Sequence, residues 1–263
     1  ERPTVLMTAL QAALAPFVLA ATAQPPPAPS ATSAGTAPPG RPAFADLTVP
    51  PGEAAVWYLG HCGYAVRTSG YLLVFDYIEL EEQPGERGLD RGFVDPAEIA
   101  GVPVRVFVTH EHKDHFDPLI MEWQRAIPDI QYYFGWHGPA GERCHDLAGP
   151  RAVLRLPGLE VFTVNSRHAG VDEVAYLVKV DGLTIFHGGD YQGRPERGAA
   201  SDAVADMRYL REQASPPDLF FLGAWTGDPY LDIVRRLSPR AVFPGHWRKQ
   251  EAKYAEFAAE LAR

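Results

Sequence analysis

Residues 110–115 read His-Glu-His-Lys-Asp-His and follow directly on the apolar run Val104-Arg105-Val106-Phe107-Val108-Thr109. A short β-branched run of this kind predicts a buried strand, so the chain leaves a sheet where these side chains begin. His110 and His112 are two apart in extended backbone, which turns both imidazoles to one side, where they can share a metal ion. Asp114 and His115 come where the backbone must curl into the next element, a few ångströms further on. The word therefore predicts a two-metal site.

Further donors stand at the ends of apolar segments downstream. His168 follows Glu160-Val161-Phe162-Thr163-Val164, Asp190 closes the segment 183–190, and His246 closes Ala241-Val242-Phe243-Pro244-Gly245-His246. The glycines before Asp190 and His246 suit turns where backbone passes close to a bound group. The helical His-Glu-x-x-His of metalloproteases does not fit, because Asp114 stands where that motif puts its second histidine. Imidazoles with one or two carboxylates per ion suit Zn2+, and the share of oxygen donors leaves room for Mn2+ or Fe.

These residues resemble the signature of the metallo-β-lactamase superfamily, His-x-His-x-Asp-His followed by a separate His, Asp and His, over residues 53–263. The resemblance implies an α+β fold, an αββα sandwich of two mixed β-sheets flanked by helices. It implies one metal on His110, His112 and His168, a second on Asp114, His115 and His246, and Asp190 bridging the two. Asp76, at the end of Tyr71-Leu72-Leu73-Val74-Phe75-Asp76, matches an early Asp that orients a ligand. The opening Trp57-Tyr58-Leu59-Gly60-His61 is similar to the L-ascorbate-6-phosphate lactonase and N-acyl-phosphatidylethanolamine phospholipase D branch.

Two divalent ions a few ångströms apart would lower the pKa of a water between them to near neutrality and stabilise the oxyanion formed when hydroxide attacks. Asp114 and Asp190 are the residues expected to position that hydroxide or pass on its proton. The function expected is hydrolysis of a small lactone, ester or phosphodiester. An exported β-lactamase-type hydrolase and a non-catalytic metal-binding protein of the same fold are the alternatives. His61 and His187 are read as structural histidines. Trp136, His137, Trp225 and Trp247 are candidates for lining a pocket or for the core, and Arg167 and Arg248 are either surface arginines or bidentate partners of a carboxylate or phosphate.

The 263 residues, 46 % hydrophobic, suffice for one domain with a large core. A net charge of -9 without a basic cluster argues against a nucleic-acid surface, because phosphate binding depends on Lys and Arg. The partner expected is a small-molecule substrate. Residues 5–23 form an uncharged apolar stretch ending Ala21-Thr22-Ala23, which predicts a signal peptide over residues 1–23 and a periplasmic or secreted protein, with no stable membrane insertion of the mature domain. Residues 24–52, rich in Pro, Ala, Ser and Thr, predict a flexible tether ahead of a hydrolase domain over 53–263. Cys62 and Cys144 occupy no ligand position, and their spacing does not establish a disulfide.

The apolar patterns predict strands within 55–76 and at 104–109, 130–134, 152–156, 160–164, 173–180, 183–187, 218–222 and 241–243. Helical patterns run from 118 through 123 and over 201–213, 230–237 and 249–261. The acidic stretch 79–95 and the segment around Cys144 are expected to be loops.

Overall fold

A computed structural model describes residues 44–79, 85–166, 170–191, 200–213, 216–224, 230–247, 250 and 252–262. Six strands form the first sheet: β1 (Ala55–Gly60), β2 (Gly63–Arg67), β3 (Leu72–Phe75), β4 (Val104–Val108), β5 (Ile130–Phe134) and β6 (Cys144–Asp146), paired in that order. β1, β2 and β3 pair antiparallel, and β3 to β6 run parallel. The second sheet holds β7 (Val153–Leu156), β8 (Leu159–Asn165), β9 (Val174–Val180), β10 (Leu183–His187), β11 (Leu219–Gly223) and β12 (Ala241–Gly245), in the order β12-β11-β10-β9-β8-β7. Here β10, β11 and β12 are parallel and the remaining pairings antiparallel.

The layering follows from side-chain alternation along buried strands. Leu73, Phe75, Phe107 and Tyr133 of the first sheet meet Val161, Tyr176, Val178, Ile185 and Phe221 of the second in a shared core. Leu72, Val74, Val104, Val106 and Val108 face the other way, onto Ile99, Ile120, Trp123 and Ile127. Behind the second sheet, Ala175, Leu177, Phe186 and Phe220 pack on Leu210 of α2 (Ala200–Gln213) and on Ile233 and Val234 of α3 (Tyr230–Leu237). α4 (Ala252–Leu261) closes one edge with Tyr254 and Phe257. The result is an αββα sandwich. A strand buried on both faces reads as an unbroken apolar run, which is why Leu72-Leu73-Val74-Phe75 and Leu219-Phe220-Phe221-Leu222 show no polar alternation. Each buried aromatic here contributes roughly 1.5–3 kcal/mol over leaving it exposed.

Three expectations are corrected. The packed domain includes Phe44 and Val49, both buried, with the Phe44 ring 6.0 Å from Trp57, although residues 44–52 were expected to lie outside it. Two large apolar residues among the prolines are enough to dock that segment on the first sheet. Within 85–95 the chain is more than a solvated loop: Leu89 and Val94 are fully buried, and Glu98 accepts the Leu89 N–H at 3.0 Å. Cys144 lies on the edge strand β6, and both cysteines are free thiols. The stretch opened by Asp117-Pro118 is a 3-10 helix, Pro118–Arg125, in which the Asp117 carboxylate caps the Leu119 N–H. Residues 1–43, with the proposed signal segment, lie outside the described residues. Among the described residues no helix is long and apolar enough to cross a membrane.

Candidate metal centre

The strands β1, β3, β4, β10 and β12 all end at one rim of the sandwich; His61, Asp76, Thr109 and His246 directly follow β1, β3, β4 and β12, and Asp190 follows β10 after two glycines. β3 is followed by Asp76, which is fully buried and takes a left-handed backbone conformation, φ 42°. Its N–H donates to Phe107 O on β4 at 3.0 Å, which docks it beside Thr109. The Asp76 carboxylate accepts the Thr109 N–H and hydroxyl, each at 2.8 Å, and its Oδ2 lies 2.8 Å from His115 Nδ1. Thr109 gives its hydroxyl proton to Asp76, so its oxygen, 3.1 Å from His110 Nδ1, accepts from that ring. Both imidazoles are thereby set as the Nδ1–H tautomer, which turns Nε2 into the site as the ligating nitrogen.

A second buried carboxylate backs the same ring. Glu173, 5 % exposed at the entry to β9, places Oε1 3.3 Å from His110 Nδ1 and accepts the Asp190 N–H at 2.8 Å on that same oxygen. Ser166 donates to its other oxygen. Gly189, φ 55°, makes this approach possible, because a Cβ there would stand 2.5 Å from Glu173 Oε1 and 2.6 Å from Thr109 Oγ1.

Asp190 Oδ1 lies 3.0 Å from His115 Nε2 and 3.2 Å from His246 Nε2. His246 follows β12 in a left-handed conformation, φ 76°, and its N–H donates to His61 O at 3.0 Å. His61, in the β1–β2 turn, is also left-handed, φ 48°, and 9 % exposed. Its Nε2 lies 3.4 Å from Oδ2 of the half-exposed Asp114, and its ring centroid is 4.5 Å from that of His246. His110 stands 4.6 Å from His112 and 4.2 Å from His115, centroid to centroid. His187 backs the site: its Nε2 donates to Cys62 O at 2.9 Å, its Nδ1 accepts the Gly189 N–H at 3.3 Å and lies 3.8 Å from Asp76 Oδ2, and its ring stacks on Phe75 at 4.9 Å.

The electrostatics demand positive charge between these groups. Burial disfavours a charged Asp190, yet the imidazoles of His115 and His246 outweigh it and hold the carboxyl well below its usual range. Burial likewise opposes a charge on His115, and the carboxylates of Asp76 and Asp190 overcome it, raising that imidazole well above its ordinary value. Hydrogen bonding from His61 lowers Asp114. A carboxylate oxygen between two imidazole nitrogens is satisfied either by their protons or by a cation. Two donors bound to one ion at about 2.0–2.1 Å stand roughly 2.9–3.4 Å apart for right-angle to tetrahedral geometry, and both Asp190 contacts fall in that range. One donor atom each from His61, Asp114, His115 and His246 lie within 4.8 Å of one another, as do donors of Cys62, His115 and Asp190. The residues fit a transition-metal centre.

The structure thus brings together six of the seven sequence-predicted ligands, His110, His112, Asp114, His115, Asp190 and His246. His168 lies outside the described residues, as do Arg167, Trp225 and Arg248. Trp136 is core, packed on Phe116 and Phe134, and Trp247 donates to Ala224 O at 2.8 Å. His137 is exposed beside Asp146. Sequence reasoning missed two participants. His61, expected to be structural, stands with Asp114, His115 and His246, and a histidine inside a Gly-flanked turn between two strands points at a sheet rim. Glu173 gave one signal only, a charged residue opening the apolar run of β9.

No protein-family model matches the chain. A metal-dependent hydrolase of the UPF0173 family from Thermococcus kodakarensis is 27% identical, the match covering 73% of this chain and 84% of that protein. A second such hydrolase, from Pyrococcus furiosus, is 25% identical over the same shares. Among solved structures, the metallo hydrolase Igni18 from Ignicoccus hospitalis aligns with a TM-score of 0.54 at 16% identity, over 79% of this chain and 89% of that one. The metallo-β-lactamase fold protein YhfI from Bacillus subtilis aligns at 0.50 and 12% identity, over 79% and 92%. With two mixed sheets, flanking helices and the His-x-His-x-Asp-His word at the rim they share, the chain has the metallo-β-lactamase fold.

Proposed function

We propose that this metal-dependent hydrolase is dinuclear and cleaves a small lactone, ester or phosphodiester. The observation that carries the reading is Asp190 Oδ1, set between His115 Nε2 and His246 Nε2 beside the His110–His112 pair. His110, His112 and His168 would hold one ion, Asp114, His115 and His246 the other, and Asp190 both, with Zn2+ the ion the donor set favours. When bound, the pair supplies a hydroxide nucleophile near neutral pH and Lewis acidity toward a carbonyl or phosphoryl oxygen.

The remaining chemistry belongs to the chain. Asp76, Thr109 and Glu173 hold the His110 and His115 rings in one tautomer and one orientation, so the donors meet an ion without reorganising. Asp114, half exposed at the mouth, is the carboxylate placed to accept the proton released as a nucleophile forms and to pass it to solvent. Export of the protein is part of the same proposal and rests on the apolar stretch before Gln24.

The test is elemental analysis of purified protein, followed by chromogenic lactone, ester, bis-phosphodiester and β-lactam substrates with the metal-loaded form. Two transition-metal ions per chain and turnover of one of the first three classes are expected. One ion or none, unchanged after zinc or manganese is added, would exclude the dinuclear site, and turnover confined to the β-lactam would favour the β-lactamase alternative.

A further inference from the structure

We propose that His61 is itself a ligand of the second metal position, completing with Asp114, His115 and His246 a four-donor set that does not need Asp190. The inference rests on the dinuclear reading and deepens it. Two sheet ends converge to place this ring: the β1–β2 turn carries it, and β12 fastens the turn through the His246 N–H to His61 O, while the Tyr58 hydroxyl donates to the same carbonyl at 3.2 Å. Gly245 keeps the two backbones close, since a Cβ there would lie 3.0 Å from His61 O. The ring has little solvent to face and points at the cluster, its centroid 4.5 Å from His246 and 5.4 Å from His115.

The convergence of four donors favours ligation over support of Asp114 alone. Two donors on one tetrahedral ion with bonds of about 2.0–2.1 Å stand roughly 3.3–3.4 Å apart. His61 Nε2 and Asp114 Oδ2 are 3.4 Å apart. The same ring packs edge-on to His115 and tilted against His246, so it offers one nitrogen to a shell of donors within 4.8 Å of one another. The two positions are consequently unequal: the second holds its ion on four side chains besides the bridging aspartate.

The experiment compares full-length wild type, His61→Asn, Asp190→Ala and the double variant, each first shown to be folded by circular dichroism. Asparagine tolerates the left-handed backbone at this position, so His61→Asn removes the imidazole without imposing new strain. Competition titration with Zn2+ and a chromogenic chelator should show one of two ions weakened at least about tenfold in His61→Asn, one ion retained in Asp190→Ala, and none in the double variant. A crystal structure of the zinc-loaded wild type, with the ion located by anomalous scattering, should place His61 Nε2 at about 2.0–2.1 Å from it. An ion on Asp114, His115 and His246 with His61 more than about 3 Å away, or a His61→Asn protein that binds both ions like wild type, overturns the assignment and leaves the dinuclear reading standing. A wild type with no ion at Asp114, His115 and His246 overturns both.

Discussion

Glu173 accepts the backbone N–H of Asp190 at 2.8 Å with the same oxygen that lies 3.3 Å from His110 Nδ1. One buried carboxylate therefore aligns a ring from the first sheet with the turn that carries Asp190 in the second. Glu173→Gln can keep the packing but loses the charge that steadies the His110 N–H. Metal affinity should fall about 10- to 100-fold, read by chelator competition, while the thermal midpoint moves little; an unchanged affinity would reduce Glu173 to a packing residue.

Asp76 is a stability residue as much as a site residue. It accepts two bonds from Thr109, pairs with His115 and is fully buried. Asp76→Ala leaves those donors without an acceptor and puts alanine at φ 42°, so metal-free protein should lose about 3–5 kcal/mol. Urea unfolding of the apo forms measures this, and a loss under about 1 kcal/mol would mean that water takes over the carboxylate's role.

Asp190→Ala and His187→Ala, three positions apart, should separate cleanly. The first removes the oxygen shared by His115 and His246, and turnover on whichever substrate responds should drop at least about 100-fold. The second removes a ring stacked on Phe75 and bonded to Cys62 O, costing about 2–4 kcal/mol of stability with turnover of the folded, metal-saturated protein within a few-fold of wild type. Equal losses of turnover in the two would show that His187 shapes the site directly.

Gly135→Ala tests how tightly the rim is built. A Cβ there would stand 2.2 Å from Thr109 O and 2.7 Å from Val174 Cγ2, a clash with backbone that only a shift of β4 or β9 can relieve. The expected cost is about 1–3 kcal/mol or more, accompanied by weaker metal binding because Thr109 leads directly into His110. A melting curve and a metal titration on the same sample check both, and a stable variant with normal affinity would show that the rim is more pliant than these contacts imply.

Much of this arrangement is legible in the sequence for a specific reason. Strands buried on both faces must be continuous apolar runs, so β3, β4 and β11 announce themselves, and the polar residues that follow β3 and β4 land on the rim by default. What stays hidden depends on contacts between distant segments. Glu173 looks like an ordinary surface carboxylate until β9 is laid beside β4, and His61 looks structural until β12 is brought against the β1–β2 turn. Phe44 and Val49 are obscured by the prolines around them, although two apolar side chains suffice to dock a short segment.

The first sheet is drawn wholly from residues before 147 and the second wholly from residues after 152. The donors divide the same way, with His110, His112, Asp114 and His115 on one side and Asp190 and His246 on the other. An ion seated among them is therefore a clasp between two halves of one chain, and its loss should loosen the seam where the halves meet before it melts either sheet. Cut at the exposed Gly149–Pro150 connection between β6 and β7, the halves would become separate polypeptides whose reassembly would be driven in part by the metal, a measure of how firmly the molecule is closed.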